Sequence, residues 1–363
     1  MTPAFIFVLI GHSTLMNIQE NVPLAPFTTL NVGGSARYLV DAEAYDDALF
    51  CVEYARSNHL PLFILGGGSN LVISDAGWPG MVLRVGIRGV EERAAESGKR
   101  EFDVGAGEDW DSFVAIAVKR DCAGVETMSG IPGTVGGTPI QNVGAYGEEV
   151  SETITSVRAL DMMTMDIVDL TNEECAFGYR KSVFNTTSRG RYLVMGVTFA
   201  LTPGGAPKIT YADLKNRFGD KQPTLEQTRN AVREIRLSKA MLIVPDDEDC
   251  RSAGSFFKNP IVPVAKYEEV TAISDKEGLG VPPKYAAADG HAKLSAGWLV
   301  ERSGFPKGTS RGNVGISRKH ALAIVNRGGA TAAEIVALKE EVQQAVSDKF
   351  GVELSSEPVF VGF

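Results

Sequence analysis

Apolar positions along this chain fall into helical and strand-like runs that alternate. From Ala42 to His59 they recur at helical spacing (Ala44, Ala48, Val52, Ala55). This segment lies between two short strand-like runs, Ala36-Arg-Tyr-Leu-Val40 and Pro61-Leu-Phe-Ile-Leu65. The second run stops at Gly66-Gly-Gly-Ser-Asn70. Strand, helix, strand and glycine turn is the order of half a nucleotide-binding domain. Further on, the pattern predicts a helix over Asp109 to Arg120 behind Gly105-Ala-Gly107, then strands over Ser156 to Asp161, Asp166 to Leu170 and Tyr192 to Leu201. Thr202-Pro-Gly-Gly-Ala-Pro207 reads as a linker. Helices over Thr224 to Lys239, Val264 to Gly278 and Thr331 to Phe350 follow, and the strand-like Pro358 to Phe363 closes the chain.

The stretch Gly130-Ile-Pro-Gly-Thr-Val-Gly-Gly-Thr-Pro-Ile-Gln-Asn-Val-Gly-Ala-Tyr-Gly147 interrupts this pattern with six glycines in 18 residues, where 39 in 363 would place about two. Such density is costly in a helix or strand and useful where backbone bends sharply and presents N–H groups to a ligand pressed against it. Phosphate suits such a cradle, and a long surface loop is the alternative. The first bend has no Gly-Lys-Ser/Thr and leads into the strand-like Leu71-Val-Ile-Ser74, so it is neither a P-loop nor a Rossmann fingerprint. Two separate cradles suit a diphosphate-bearing cofactor better than a lone phosphate.

Length and charge narrow the function. With 363 residues the chain is long for one core, and two domains are expected. A net charge of −9 without any basic cluster argues against nucleic acid as a partner. Cys51, Cys122, Cys175 and Cys250 are widely spaced, which fits a reducing, cytoplasmic setting, and neither they nor the four histidines have metal-ligand spacing. The apolar Ala4 to Ile10 lacks a basic flank and is too short to span a bilayer, so no membrane partner is expected.

Leu65-Gly-Gly-Gly-Ser-Asn70, Ser129-Gly-Ile-Pro-Gly-Thr-Val-Gly-Gly137 and Gln141-Asn-Val-Gly-Ala-Tyr-Gly147 together resemble the flavin-binding lobe of the UDP-N-acetylenolpyruvoylglucosamine reductases of peptidoglycan synthesis. The resemblance continues, in the family's order, through Gly178-Tyr-Arg-Lys-Ser-Val-Phe184, Gly254-Ser-Phe-Phe-Lys-Asn-Pro260, Ser295-Ala-Gly-Trp-Leu-Val-Glu301, His320-Ala-Leu-Ala-Ile-Val-Asn326 and Glu357. It covers the chain from about Val22 onward. The implied fold class is α/β plus α+β. A two-subdomain FAD-binding lobe (21–203) would precede a smaller C-terminal substrate-binding domain (204–330). A helix and strand (331–363) would return toward the active site, and residues 1–20 would form a disordered extension.

The resemblance also implies the chemistry. FAD binds non-covalently, is reduced by NADPH, and passes hydride to the enolpyruvyl methylene of UDP-N-acetylglucosamine enolpyruvate, giving UDP-N-acetylmuramate. Cofactor contacts are expected from Leu65, Gly66, Gly67, Gly68, Ser69, Asn70, Gly130, Ile131, Gly133, Thr134, Gly136, Gly137, Asn142, Gly144, Ala145 and Tyr146. An enol ether is a poor hydride acceptor, so its conjugated carboxylate must be polarised by a cation and a hydrogen-bond donor. Arg180 matches the family's catalytic arginine, whose fork can grip a carboxylate, and Glu357 matches the glutamate that works protonated or shares the carboxylate's proton. Ser255 matches the proton donor to the carbon bearing the ether oxygen. Tyr211 corresponds to the tyrosine that closes over the diphosphate, which places the chain in the tyrosine-loop class; Lys239, Asn259 and Tyr179 are further expected substrate contacts. Monomeric, cytoplasmic action is expected.

Overall fold

Residues 5–10, 14–95 and 97–363 are described by the computed structural model, the first and residues 14 and 15 in backbone only. Strands Ser35–Ala42, Trp78–Val85 and Leu62–Leu65 run parallel side by side. Parallel neighbours need a crossover, and α1 (Tyr45–Ser57) links the first of these strands to the third. Its buried residues Ala48, Cys51, Val52 and Ala55 form the stripe that helical spacing predicts. The Asp47 carboxylate accepts from the Glu43 and Ala44 N–H groups and so caps the helix start. Strands Thr14–Pro23 and Phe5–Ile10 extend this sheet. Among the described residues of the expected disordered extension, these two strands pair antiparallel, which corrects that expectation. Residues 1–4 and 11–13 lie outside the description.

A second sheet is antiparallel throughout: Asp166–Thr171, Ile154–Asp161, Tyr192–Pro203, Arg100–Gly105 and Val90–Ala94, in that order. α2 (Trp110–Lys119) starts at an Asp109 cap. Its Trp110 and Phe113 pack against Phe199, with ring centroids 5.8 and 4.9 Å away. Two more helices follow, α3 (Ala212–Phe218) and α4 (Leu225–Ser238). α4 begins with a reciprocal cap between Thr224 and Gln227.

Contacts divide the chain into two units, and the division differs from the expected one. The first unit holds the described residues up to Val22, Ala36–Gly68 and Trp78–Leu242; the second holds Pro23–Ser35, Ser69–Gly77 and Ile243–Phe363. The expected boundary near residue 203 therefore moves to 242. The reason is electrostatic as well as apolar: Arg229 and Arg233 of α4 both pair with Asp111 of α2, and the second strand sheet runs on to Pro203.

In the second unit, α5 (Val264–Glu277), α6 (Ala296–Arg302) and α7 (Ala332–Phe350) surround two small antiparallel sheets. A parallel pair, Leu71–Ile73 with Val359–Val361, completes this unit. α7 buries Ala332, Ile335, Leu338, Val342, Val346 and Phe350 in a core with Phe256, Phe257 and Leu299. Its first free N–H groups, of Ala332 and Ala333, donate to the Asp75 carboxylate at 2.7 and 3.0 Å. The four acidic positions 246–249, without an assigned role at first sight, begin the same unit. There Asp249 is buried and accepts from the Arg318 backbone and guanidinium, while Asp247 pairs with Lys319.

Candidate active site

Leu65 ends its strand fully buried, and the chain then bends through Gly66, Gly67 and Gly68. This bend lies directly against the second glycine stretch. A Cβ on Gly67 would sit 2.5 Å from the Gly133 Cα, and one on Gly66 would sit 3.1 Å from the Thr134 Oγ1. Only glycine allows the two backbones to approach this closely. Gly136 in turn presses on Ala106, where its Cβ would meet the Ala106 Cβ at 2.6 Å, and its N–H donates to the Ala106 carbonyl. The Gly105-Ala-Gly107 turn, a weak signal in sequence, is thus part of the cradle's wall. Gly137 by contrast has open space where a Cβ would go.

The N–H groups of Gly67, Gly68, Gly133 and Thr134 have no protein acceptor among the described residues. The Thr134 hydroxyl is buried without a hydrogen-bond partner. Orphaned donors cost free energy unless something accepts from them. Amides without a protein acceptor on two abutting bends, an unused buried hydroxyl and glycine-only approach fit a diphosphate-bearing cofactor such as FAD.

Gly130 is clamped from both sides: its N–H donates to Asp111 at 2.6 Å and its carbonyl accepts from Arg236 Nε at 3.1 Å. Burial opposes ionisation of Asp111, but Arg229, the Gly130 N–H and Arg233 outweigh it and hold the carboxyl below its usual range. Neither Asp111 nor Arg236 was singled out in sequence. Ile131 is half-buried beside this clamp. Further along, Gly144–Ala145 pairs with Glu148–Glu149 around a two-residue turn. Its central residues, Tyr146 and Gly147, both have positive φ (51° and 93°), as a primed hairpin turn demands. Burial pushes the Tyr146 hydroxyl up to about 12.

The same stretch positions Arg180. Asn142, buried and at φ 47°, donates to the Gly178 carbonyl at 3.2 Å and to Glu149 at 2.7 Å. Gly178 and Lys181 exchange backbone hydrogen bonds across Tyr179 and Arg180. Arg180 sits at φ 55°, a strained position for a long side chain and the kind that clusters at functional sites. Its guanidinium donates to the Gly144 carbonyl at 3.3 Å and lies 5.8 Å from the ring centre of exposed Tyr179.

Tyr211 is exposed at the start of α3, its ring meeting that of Tyr146 edge-on at 5.5 Å. Lys239 caps α4 and pairs with Asp213 at 2.6 Å.

In the second unit, the backbone brings Ser255 and Glu357 onto adjoining segments. The Glu357 N–H donates to the Phe256 carbonyl at 2.9 Å, the Lys258 N–H to that of Ser355, and Phe257 pairs with Ser356. Ser69 accepts from Thr29, and Asn70 accepts from the Val359 N–H at 2.9 Å. Asn259 is occupied structurally, accepting from the Ala296 N–H at 2.9 Å.

Comparison with known proteins matches this architecture. Residues 36–170 match the FAD binding domain family. The chain is therefore an FAD-containing oxidoreductase. Residues 245–361 match the C-terminal domain of UDP-N-acetylenolpyruvoylglucosamine reductase. The enzyme of that name from Thermobifida fusca is 44% identical over 95% of this chain and 98% of its own length. The Mycolicibacterium smegmatis enzyme is 40% identical over 97% and 98%. The crystal structure of the Thermus caldophilus enzyme superposes with a TM-score of 0.63 at 25% identity, covering 95% of this chain and 99% of the other. The chain belongs to the UDP-N-acetylenolpyruvoylglucosamine reductase family.

Proposed function

We propose that Arg180, Ser255 and Glu357 carry the reaction of this family in this chain: NADPH-dependent reduction of UDP-N-acetylglucosamine enolpyruvate to UDP-N-acetylmuramate for peptidoglycan synthesis. FAD, once reduced by NADPH, supplies the hydride. Gly67, Gly68, Gly133 and Thr134 would hold its diphosphate by amide and hydroxyl donors, while Gly66, Gly136 and Gly137, whose missing side chains allow the close approach or leave open space, would shape the cradle against it. Asn142, Gly144, Ala145 and Tyr146 would complete the cofactor contacts, together with Leu65, Ser69, Asn70, Gly130 and Ile131.

Arg180 grips the substrate carboxylate, and its cation stabilises the charge that builds there as the double bond accepts hydride. Glu357 shares a proton with the same carboxylate and lowers the cost of that charge. Ser255 donates its hydroxyl proton to the carbon bearing the ether oxygen as the carbanion forms. Phe256 and Phe257, both fully buried beside it, help exclude water. Tyr211, Lys239, Asn259 and Tyr179 contact the sugar nucleotide. The enzyme works as a monomer in the cytoplasm, where NADPH and activated sugars are made and four buried free thiols stay reduced.

What supports the reading most is the pairing of the 256–258 segment with 355–357, which sets a serine and a glutamate from distant parts of the chain on neighbouring backbone. Stopped-flow absorbance tests it. NADPH should bleach the flavin, and the enolpyruvyl sugar nucleotide should restore its colour without oxygen. Recolouring by oxygen alone would overturn the proposal.

A further inference from the structure

We propose that Glu148 and Thr127 are positioning residues that form a proton-dependent latch on the hairpin holding Arg180. The hairpin pairs Gly144–Ala145 with Glu148–Glu149, so Glu148 stands directly opposite Ala145. Beside Ala145, the Gly144 carbonyl accepts from the Arg180 guanidinium at 3.3 Å. Thr127 belongs to the single turn Glu126–Met128 and is fully buried. Its hydroxyl oxygen lies 2.5 Å from Glu148 Oε2 and 3.2 Å from the Ala145 carbonyl oxygen.

A threonine hydroxyl has one hydrogen, so it can donate to only one of these two oxygens at a time. With a proton on Glu148, the carboxyl donates to the Thr127 oxygen and the threonine hydrogen goes to Ala145. The hairpin is then tied to the 126–128 turn. With the proton gone, the carboxylate is the stronger acceptor and takes the threonine hydrogen. The Ala145 carbonyl loses that bond just before Tyr146 and Gly147, which are held at positive φ. The hairpin that fixes Gly144, and through it Arg180, is then held less firmly.

The charges that act most on Glu148 are acidic. Glu126 and Glu152 both oppose a further negative charge, and Glu148 itself is 5% exposed. Glu126 Oε2 accepts from the Gly124 and Val125 N–H groups at 2.8 and 3.2 Å, while its Oε1 is buried without a hydrogen-bond partner. Glu152 pairs with Lys208, and Glu149 accepts from Asn142. The cations of α4 are engaged elsewhere: Arg229 and Arg233 with Asp111 of α2, and Arg236 with the Gly130 and Met241 carbonyls. Burial and the neighbouring acids push Glu148 up to about 7, so both arrangements occur around neutral pH. A buried acid serving packing alone would be matched with a base.

This inference rests on the role proposed above for Arg180, and pH-resolved kinetics of the holoenzyme separate the two. Re-oxidation of reduced flavin by UDP-N-acetylglucosamine enolpyruvate should slow about five- to tenfold as pH rises through about 7, the worth of one hydrogen bond. Flavin reduction by NADPH should change less than about twofold. Glu148→Gln, whose amide can donate to Thr127 and cannot ionise, should keep the faster rate across the range. Thr127→Val should show the slower rate throughout, and Thr127→Ser should restore the step. Infrared difference spectra of the wild-type holoenzyme should show a protonated-carboxyl band lost over the same interval, and Glu148→Gln should lack it. A flat wild-type rate, a step that survives in Glu148→Gln, or no such band in the wild type would overturn the latch. Failure of the sugar nucleotide to re-oxidise the wild-type enzyme at any pH would instead overturn the function reading, and the infrared band would still decide where the proton sits.

Discussion

The Asn70 side chain donates to the backbone carbonyl of Glu357 at 3.3 Å, so the residue that ends the first glycine bend holds the C-terminal glutamate by its main chain. The Val359 N–H returns a bond to the Asn70 carbonyl at 2.9 Å, and the parallel pairing of Leu71–Ile73 with Val359–Val361 begins there. Glu357, proposed above to act on the substrate carboxylate, is thereby held by its main chain where an unpaired segment would fray. This contact and the ladder beside it hold the terminus in place.

Asn70→Ala removes the side-chain bond and keeps the backbone ladder. Mispositioning of Glu357 should slow re-oxidation of reduced flavin by the sugar nucleotide roughly tenfold or more, and flavin reduction by NADPH much less. Stopped-flow traces of the two half-reactions measure this. Equal slowing of both would remove the assigned link.

Ser255→Ala should leave flavin reduction nearly intact and slow re-oxidation by the substrate roughly 100- to 10,000-fold, the usual worth of one general acid. Rapid-mixing rates for the two steps, measured separately, decide it. A variant equally impaired in both has lost something other than a proton donor.

The cradle predicts two distinct failures. Gly67→Ala forces a Cβ to within 2.5 Å of the Gly133 backbone, which cannot swing aside as a flexible side chain would. Purified protein should carry much less flavin and should lose about 1–3 kcal/mol of stability. Thr134→Val removes an orphaned hydroxyl and introduces no clash, so flavin affinity should fall about tenfold with stability unchanged or raised. The ratio of visible to ultraviolet absorbance together with urea titration distinguishes them. Full flavin content in both variants would place the cofactor elsewhere.

Beneath the same loop lies a carboxylate pair. Burial, the nearby Glu126 charge and that of Glu152 push Glu148 up to about 7, against the Thr127 hydroxyl and N–H, which favour its ionised form. A carboxyl whose folded pKa is raised binds its proton more tightly in the folded state, so folding is favoured while that proton stays on. Stability should therefore fall as pH rises from about 4.5 to about 7, by roughly 3 kcal/mol, and level off above. Glu148→Gln should flatten that part of the profile. An unchanged slope in urea-unfolding curves across this window would show that the proton sits elsewhere.

Much of this was readable from local pattern. The α1 stripe, the strands around it, and the long helices α4, α5 and α7 appear in the chain as periodicity and capping residues, because neighbours in sequence decide them. The glycine bends were legible for the same reason: positive φ and close backbone approach require glycine locally, whatever it approaches. The roles proposed for Arg180, Ser255 and Glu357 rest on a family resemblance, since a lone arginine, serine or glutamate carries no signature of its own.

Tertiary structure alone decided the rest. That Gly67 abuts Gly133, that Asp111 and Arg236 clamp Gly130, and that α3 and α4 stay with the first unit past residue 203 depend on contacts between residues far apart in the chain. Buried polar groups such as Arg236 and Asp111 have to find partners once water is excluded. Which partner each finds is settled by packing in three dimensions, and no spacing along the sequence records it.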